Sequence, residues 1–529
     1  MNILGLADGT DAGAALLVDD HVVAVVEQER LNREPHTRAF PWDAALAALE
    51  VAGLTPHDVD MVAIAGRFSP PFFLRRHPEL RRFAKDAYSP LLDATVFYQA
   101  LLRQTGLGAL EADRTAEWFD RRLRERGYGM RRTLLVDVHR CLAEAAHRTQ
   151  STDPVLVMTV HPSGDGVGIA AYRGSGGQLD RLWAQKGFAS LHVHMKRCLA
   201  AIDVPKGDEA LAWSLAQRAE ADPALVVRLN RMLHSMGPGL SRKRYPFPER
   251  RKDYSVLKDV PVEVAAASLL QNMADAVCDV VRHHARAWGL RSVALGGGVF
   301  ENPWLVARVA ALPEVDHVWT PPLQGWASLA LGAAASVGGM APGLLQGPGL
   351  GTDATPDACA AALPADVTVT PCSAGEVADL LLSGKAVARC QGRGGFGRHG
   401  GGTRSVLALP NAEAVEVALR ALGRDPREGA VLARRQGAAT GLDGPLRHGA
   451  AAAMGPLGLC ATAEVREGDD PGLIDVIEAL EAKGGMGAVA LLPLGCGLEP
   501  AAERPVDAVS VFQRSTLEAL WLGPNLVRR

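Results

Sequence analysis

Short unbroken apolar runs, each closed off by turn residues, mark the start of this chain as strands. Ile3 to Asp8 (ILGLAD) and Ala14 to Asp20 (AALLVDD) are two such runs, and VVAVVEQER follows a turn at Asp19-Asp20-His21, which together predict a strand hairpin. The period then changes. WDAALAALEVAGL, Trp42 to Leu54, spaces its apolar residues as a helix does, and MVAIAGR returns to a strand. From about Leu74 to Arg132, arginine, leucine and alanine recur at helical spacing, predicting a helical insertion on the surface of an α/β core. Strands resume with LLVDVH, VLVMTV and VGIAAYR. A long helix from Val262 to Trp288 then leads into the strand RSVAL and the glycine turn Gly296-Gly297-Gly298. Strand runs alternating with helices predict α/β architecture with mostly buried sheets.

Between Gly338 and Ala365 the periodicity dissolves into Gly, Pro and Ala, which predicts a domain boundary. The expected organisation is an N-terminal unit over 1–340, an exposed linker over 341–367 and a second α/β unit over 368–529. That second unit opens with the helix SAGEVADLLLSG and the strand KAVARC. No internal repeat is legible.

Composition narrows the class of protein. A chain of 529 residues is too long for one core, and 48% hydrophobic with 22% charged residues fits folded globular domains rather than disorder. A net charge of −3 gives no reason to expect nucleic acid as a partner, and the basic stretch SRKRYPFPERRK, Ser241 to Lys252, reads as a solvated loop. The eight cysteines are scattered without a C-x-x-C pair, which argues against both a disulfide framework and a zinc site. MNILGLADGT runs straight into a strand without a basic leader, and no run of about 18 uncharged apolar residues occurs, so the expectation is a cytoplasmic chain with no membrane partner.

Candidate chemistry enters through a resemblance. The opening ILGLADGTDAGAALLVDDHVVAVVEQERLNREPHTRAFP, the turn VALGGGVFENPWL with WTPPLQGWASLALGAA, and GKAVARCQGRGGFGRHGGGTRSVLALP resemble, in the same order, segments of the nodulation-factor and antibiotic-tailoring O-carbamoyltransferases. The stretch from Gly487 to Val527 is similar to that family's C-terminal end. The resemblance implies an N-terminal domain of the actin-like ATPase superfamily and a YrdC-like α/β C-terminal domain. It implies ATP as cofactor, with carbamoyl phosphate converted through carbamoyl-adenylate and the carbamoyl group passed to a small-molecule hydroxyl with help from a metal ion.

The matching positions give the expected site. Asp11, His36 and Asp165 are the catalytic candidates, while Gly166, Gly297, Gly298, Asn302, Lys385, Arg393, Arg404 and Ser405 are expected to bind substrate or nucleotide. Elsewhere the chain departs from the family. A His-His-Leu-Ala-His-Ala-Ala run, with imidazoles able to share an ion across one helical turn, reads Arg140-Cys141-Leu142-Ala143-Glu144-Ala145-Ala146 here, and arginine cannot ligate a cation. A family Asp-Gly-x-Gly-Asp-Gly turn reads His161-Pro162-Ser163-Gly164-Asp165-Gly166, and Trp326 stands in a segment where the family carries an aspartate. The departures predict a cleft without the metal, with Trp326 filling the ion's space beside His161 and Glu144. A displaced site built from His139, Glu144 and His161 is the alternative.

Two functions remain from this reading. One is a catalytically degenerate relative that serves as partner or scaffold for an intact carbamoyltransferase paralogue, or as a homodimer. The other is an active ATP-dependent O-carbamoyltransferase or related acyl or adenylyl transferase.

Overall fold

The computed structural model describes residues 1–529 apart from 85–88, 187–188, 206–208, 243–250, 322–324, 341–342, 344–348, 365–366, 396, 398–399, 436–450, 454–459 and 466–469. The opening runs form the antiparallel strands β1 (Asn2–Ala7), β2 (Gly13–Val18) and β3 (His21–Glu27), of which β1 and β2 are almost wholly buried. After α1 (Gln28–Asn32) and α2 (Trp42–Val51), β4 (Met61–Ala65) joins β1 in parallel. The arginine-rich stretch forms α3 (Phe72–Arg76), α4 (Pro90–Gln104) and α5 (Leu107–Arg124). β5 (Thr133–Val136) completes a sheet of order β3-β2-β1-β4-β5 and leads into α6 (Val138–Arg148).

A second sheet repeats that path. β6 (Val155–Gly164), β7 (Val167–Ser175) and β8 (Gln178–Lys186) form an antiparallel meander. Then come α7 (Leu191–Ala201), α8 (Glu209–Ala216), α9 (Pro223–Met232), the hairpin β9 (Leu233–Met236) and β10 (Gly239–Arg242), and α10 (Val262–Trp288). β11 (Ser292–Gly296), α11 (Pro303–Ala310) and β12 (His317–Trp319) follow, with β11 and β12 adding in parallel to β6. The order β8-β7-β6-β11-β12 matches the first sheet strand for strand. The fold is therefore duplicated although no sequence repeat survives, because hydrogen-bonded topology constrains burial and strand length far more than residue identity.

α10 is long and apolar enough to cross a membrane by length and composition, but 78% of its most apolar window is buried against the second sheet's helices and strands. α12 (Gly325–Gly338) returns from the second sheet to cover the first. Its small residues permit this: a Cβ on Gly332 would lie 1.8 Å from the Cys141 carbonyl oxygen, and one on Gly5 of β1 would lie 2.0 Å from that of Ala330.

The stretch expected to be a bare linker carries structure. β13 (Gly349–Ala354) and α13 (Pro356–Ala362) lie in it. β14 (Val369–Pro371), α14 (Ala374–Leu382), β15 (Val387–Cys390) and β16 (Gly392–Gly395) follow, and β13 pairs antiparallel with β16. Glycine makes that ribbon fit, since a Cβ on Gly351 would stand 2.4 Å from the Glu503 carboxylate and 2.8 Å from the Gly394 carbonyl. Low periodicity here reflects tight packing of backbone on backbone. The remaining strands are β17 (Arg404–Ala408), β18 (Ala430–Arg435), β19 (Ala451–Ala453), β20 (Cys460–Val465), β21 (Ala488–Pro493), β22 (Ala519–Leu522) and β23 (Asn525–Arg528). They and β14 and β15 make a nine-stranded mixed sheet with an apolar cluster on each face. The seven cysteines whose side chains are described are free, five of them buried.

Candidate functional site

The loop after β1 and the segment after β3 meet at the edge of the first sheet. Asp11 and His36 both hold left-handed backbone, with φ 58° and 53°, a conformation that aspartate and histidine tolerate better than most residues. The Asp11 N–H donates to the Thr37 carbonyl at 3.0 Å, and the His36 N–H donates to the Glu29 carboxylate at 2.8 Å. These bonds fold the segment back on α1 and bring His36 Nδ1 to 2.7 Å from Asp11 Oδ1. Two sequence candidates are thus joined, and Glu29 of α1, another position that matches the family, is joined with them.

Charge in this corner is unbalanced. The Asp11 hydrogen bond raises the His36 imidazole to about 9, against the opposing effect of burial, and Glu29 and Glu209 push it the same way. Burial, then the charges of Asp11 and Glu27, raises the Glu29 carboxyl to about 7. Glu209 opens α8, so this last charge comes from a helix that follows the second sheet's meander.

Asp165 is placed differently. Its fully buried carboxylate accepts from the backbone N–H of Arg67 at 3.1 Å, Phe68 at 2.9 Å and Val138 at 2.9 Å, which ties β4's loop to the start of α6. Burial raises it to about 6 with help from Asp137, and the three N–H groups oppose that rise. With its oxygens held by the main chain, Asp165 organises a turn, and Gly166 beside it (φ 78°) supplies the left-handed step. Gly297 has φ 122°, and a Cβ there would fall 2.0 Å from the Val160 carbonyl oxygen, whereas nothing stands within 4 Å of a Cβ on Gly298. The buried Asn302 caps α11, accepting from Trp304 N–H at 3.0 Å and Leu305 N–H at 3.3 Å.

The displaced metal set does not assemble. His139 Nε2 donates to the Val167 carbonyl at 2.9 Å and its Nδ1 meets the Thr159 hydroxyl at 2.7 Å, so both ring nitrogens are committed and burial lowers the imidazole to about 4. Glu144 lies buried between Arg140 at 2.5 Å and Arg148 at 2.9 Å. Arg140 and Glu144 thus pair across one helical turn, and the carboxylate sits inside the protein and serves a second arginine. His161 is buried with its imidazole ring centre 6.2 Å from that of His139, and burial lowers it well below the usual range. A cation therefore does not fit the positions where the family's histidine run would hold one: arginine stands at one and a doubly paired glutamate at the other. The Trp326 side chain lies outside the described residues.

The expected phosphate cradle of the C-terminal unit is also dispersed. Lys385 precedes β15 and pairs with Glu518 at the surface, whereas Arg404 pairs with Cys390 at the other end of that strand, about 16 Å away along five residues. The buried Arg404 guanidinium donates to the carbonyls of Glu503, Gln391, Thr403, Thr352 and Gly392 at 2.6 to 3.1 Å. Ser405 Oγ accepts from Gly402 N–H at 3.1 Å. Arg393 reaches back to the first sheet, donating to the carbonyls of Val23 at 2.6 Å and Leu350 at 3.0 Å.

α1 supplies the rest of that junction. The buried Arg30 pairs with Glu27 at 2.6 Å and Glu503 at 3.5 Å, and donates to the carbonyls of Gly395 and Gly397. Arg33 donates to the carbonyls of Ala501 at 2.8 Å and Pro500 at 2.7 Å. Sequence reasoning missed these roles, although ERLNRE places both arginines three residues apart on one helical face.

A duplicated five-stranded sheet, joined through Arg30, Arg33 and Arg393 to a third, nine-stranded sheet, defines the class: a mixed α/β protein with a duplicated N-terminal half. No family model matches the chain. Nodulation protein NolNO of Sinorhizobium fredii is 24% identical over 98% of this chain and 79% of its own length, and nodulation protein NolO of Bradyrhizobium diazoefficiens is 26% identical over 56% and 59%. Among solved structures, the activator of the 2-hydroxyisocaproyl-CoA dehydratase from Clostridium difficile covers 64% of this chain and 94% of its own at 13% identity and a TM-score of 0.35. The chain is thus similar over nearly its whole length to nodulation protein NolNO, as the order of its motifs led one to expect.

Proposed function

We propose that this protein no longer carries out ATP-dependent carbamoyl transfer on its own and acts as a partner or scaffold subunit of a biosynthetic carbamoyltransferase. The observation that carries this reading is the Arg140–Glu144–Arg148 ion-pair ladder, built on a buried carboxylate, at the family's imidazole positions. An ion there would have to displace two guanidiniums from a desolvated carboxylate, and separating such a pair costs about 3 to 5 kcal/mol. The saturated guanidinium of Arg404 supports the same reading for a YrdC-like C-terminal unit, because a phosphate would compete with five carbonyls for its donors. Losing one preorganised contact to the transition state typically costs about 100-fold to 1000-fold in rate.

The test supplies the full chain with ATP, carbamoyl phosphate, divalent metal and small alcohols, following pyrophosphate release and carbamoylated product separately. Neither is expected from the chain alone. Co-purification with an intact paralogue, and turnover that rises when the chain is added to it, is the expected positive result. Turnover by the chain alone would overturn the proposal and favour an active O-carbamoyltransferase, the reading to which the retained Asp11–His36 pair lends weight.

A further inference from the structure

One donor atom from each of Asp11, Glu29 and His36 lies within 4.8 Å of the other two. The Asp11 and His36 side chains are 36% and 41% exposed, so the point between them is open to solvent. The backbone around them is fixed by bonds that leave ligand atoms over: Asp11 N–H is held by Thr37, Asn32 Nδ2 by the Thr37 hydroxyl at 2.9 Å, and only one Glu29 oxygen accepts from His36 N–H.

The surroundings favour a cation. The charges of Glu27 and Asp11 act on Glu29, and that of Glu209 reaches His36 from α8. Against these carboxylates stand two guanidiniums. Arg30 is committed to Glu27, Glu503 and two glycine carbonyls, and Arg38, which feels the Asp11 charge, donates to the Arg81 carbonyl. With the imidazole neutral, four carboxylates face two fixed positive charges.

We propose that Asp11, Glu29 and His36 bind one divalent transition-metal ion of the Mn²⁺, Fe²⁺ or Zn²⁺ class. One imidazole with two carboxylates suits these ions better than the all-oxygen shells of Ca²⁺ and Mg²⁺. Three protein ligands at a half-exposed point leave coordination positions for water or an anionic ligand. Binding replaces the 2.7 Å Asp11–His36 hydrogen bond, and the imidazolium proton leaves to solvent as the ion takes a ring nitrogen. The site shares no residue with the histidine-run position on α6. It goes beyond the subunit reading, since a silent chain can hold an ion as well as an active one.

The test strips the full chain with a chelator and titrates it with Mn²⁺ alone, counting free ion by electron paramagnetic resonance. One bound equivalent is expected. Asp11→Asn, Glu29→Gln and His36→Gln should each weaken binding roughly tenfold or more with unchanged circular dichroism. Pulsed measurements on the wild-type complex should show one histidine nitrogen coupled to the ion, a readout that needs no variant. Absence of saturable binding, affinity unmoved by all three substitutions, or a bound ion with oxygen ligands alone would overturn the proposal.

Discussion

Replacing Arg30 with methionine should loosen the junction between the N-terminal and C-terminal units more than any surface change. The guanidinium is 3% exposed, and its partner Glu503 is 2% exposed. Truncation leaves Glu503 and Glu27 without their counter-charge and frees the carbonyls of Gly395 and Gly397. Breaking one member of a buried pair costs about 3 to 5 kcal/mol, and each buried carbonyl left without a donor adds about 1 to 3 kcal/mol. Glu503 keeps the Thr352 N–H at 2.8 Å and its hydroxyl at 3.0 Å, which softens the loss. A net cost of about 4 kcal/mol, close to a thousandfold in the equilibrium, is therefore expected for the first unfolding transition. Urea unfolding followed by tryptophan fluorescence measures it, read for the first transition alone because two units need not unfold together. Glu503→Gln and the double variant complete a cycle in which the coupling should exceed about 1 kcal/mol, as expected for contacting residues. A loss below about 1 kcal/mol in Arg30→Met, or no coupling to Glu503, would refute the account of the junction.

Four further outcomes follow. In metal-free protein, His36 should titrate near 9 by NMR. Because its pKa is raised above the unfolded value of about 6.5, its contribution to stability is full below pH 6.5 and lost as pH rises through 9, a shallow effect for a pair this exposed that should vanish in Asp11→Asn. Glu29 has a carboxyl raised to about 7, so charging it penalises the folded state as pH rises from about 4.5 to 7; Glu29→Gln should be more stable than wild type at pH 8 and equal to it at pH 4 in pH-dependent melting. Asp165→Asn replaces one of the two oxygens that accept three backbone N–H groups with an NH2 that cannot accept, and should cost about 3 kcal/mol by chemical denaturation. Arg148→Ala should destabilise the protein by about 3 kcal/mol and Arg140→Ala by less, since the Arg148 side chain is 11% exposed and that of Arg140 37%; equal effects would show that Glu144 does not depend on burial of its partner.

Local pattern alone was enough for the opening strands and for long helices such as Val262–Trp288, because apolar runs and helical spacing follow from which faces must be buried. The family resemblance singled out Asp11 and His36, which the fold brings to 2.7 Å from one another. Three things came only from the tertiary structure. The duplicated strand order is invisible in the residues, since topology is conserved through hydrogen bonding while side chains drift. The Gly338–Ala365 stretch looked like a linker because glycine lacks a side-chain period, yet its glycines are what allow β13 to lie against β16 and Glu503. The fate of the charged candidates depended on partners far along the chain. Arg404 finds carbonyls, Asp165 finds N–H groups, Glu144 finds two arginines, and Asp11 finds Glu29 and His36. A side chain's type states what it can bind, but only the packed fold decides whether its donors and acceptors are already spent.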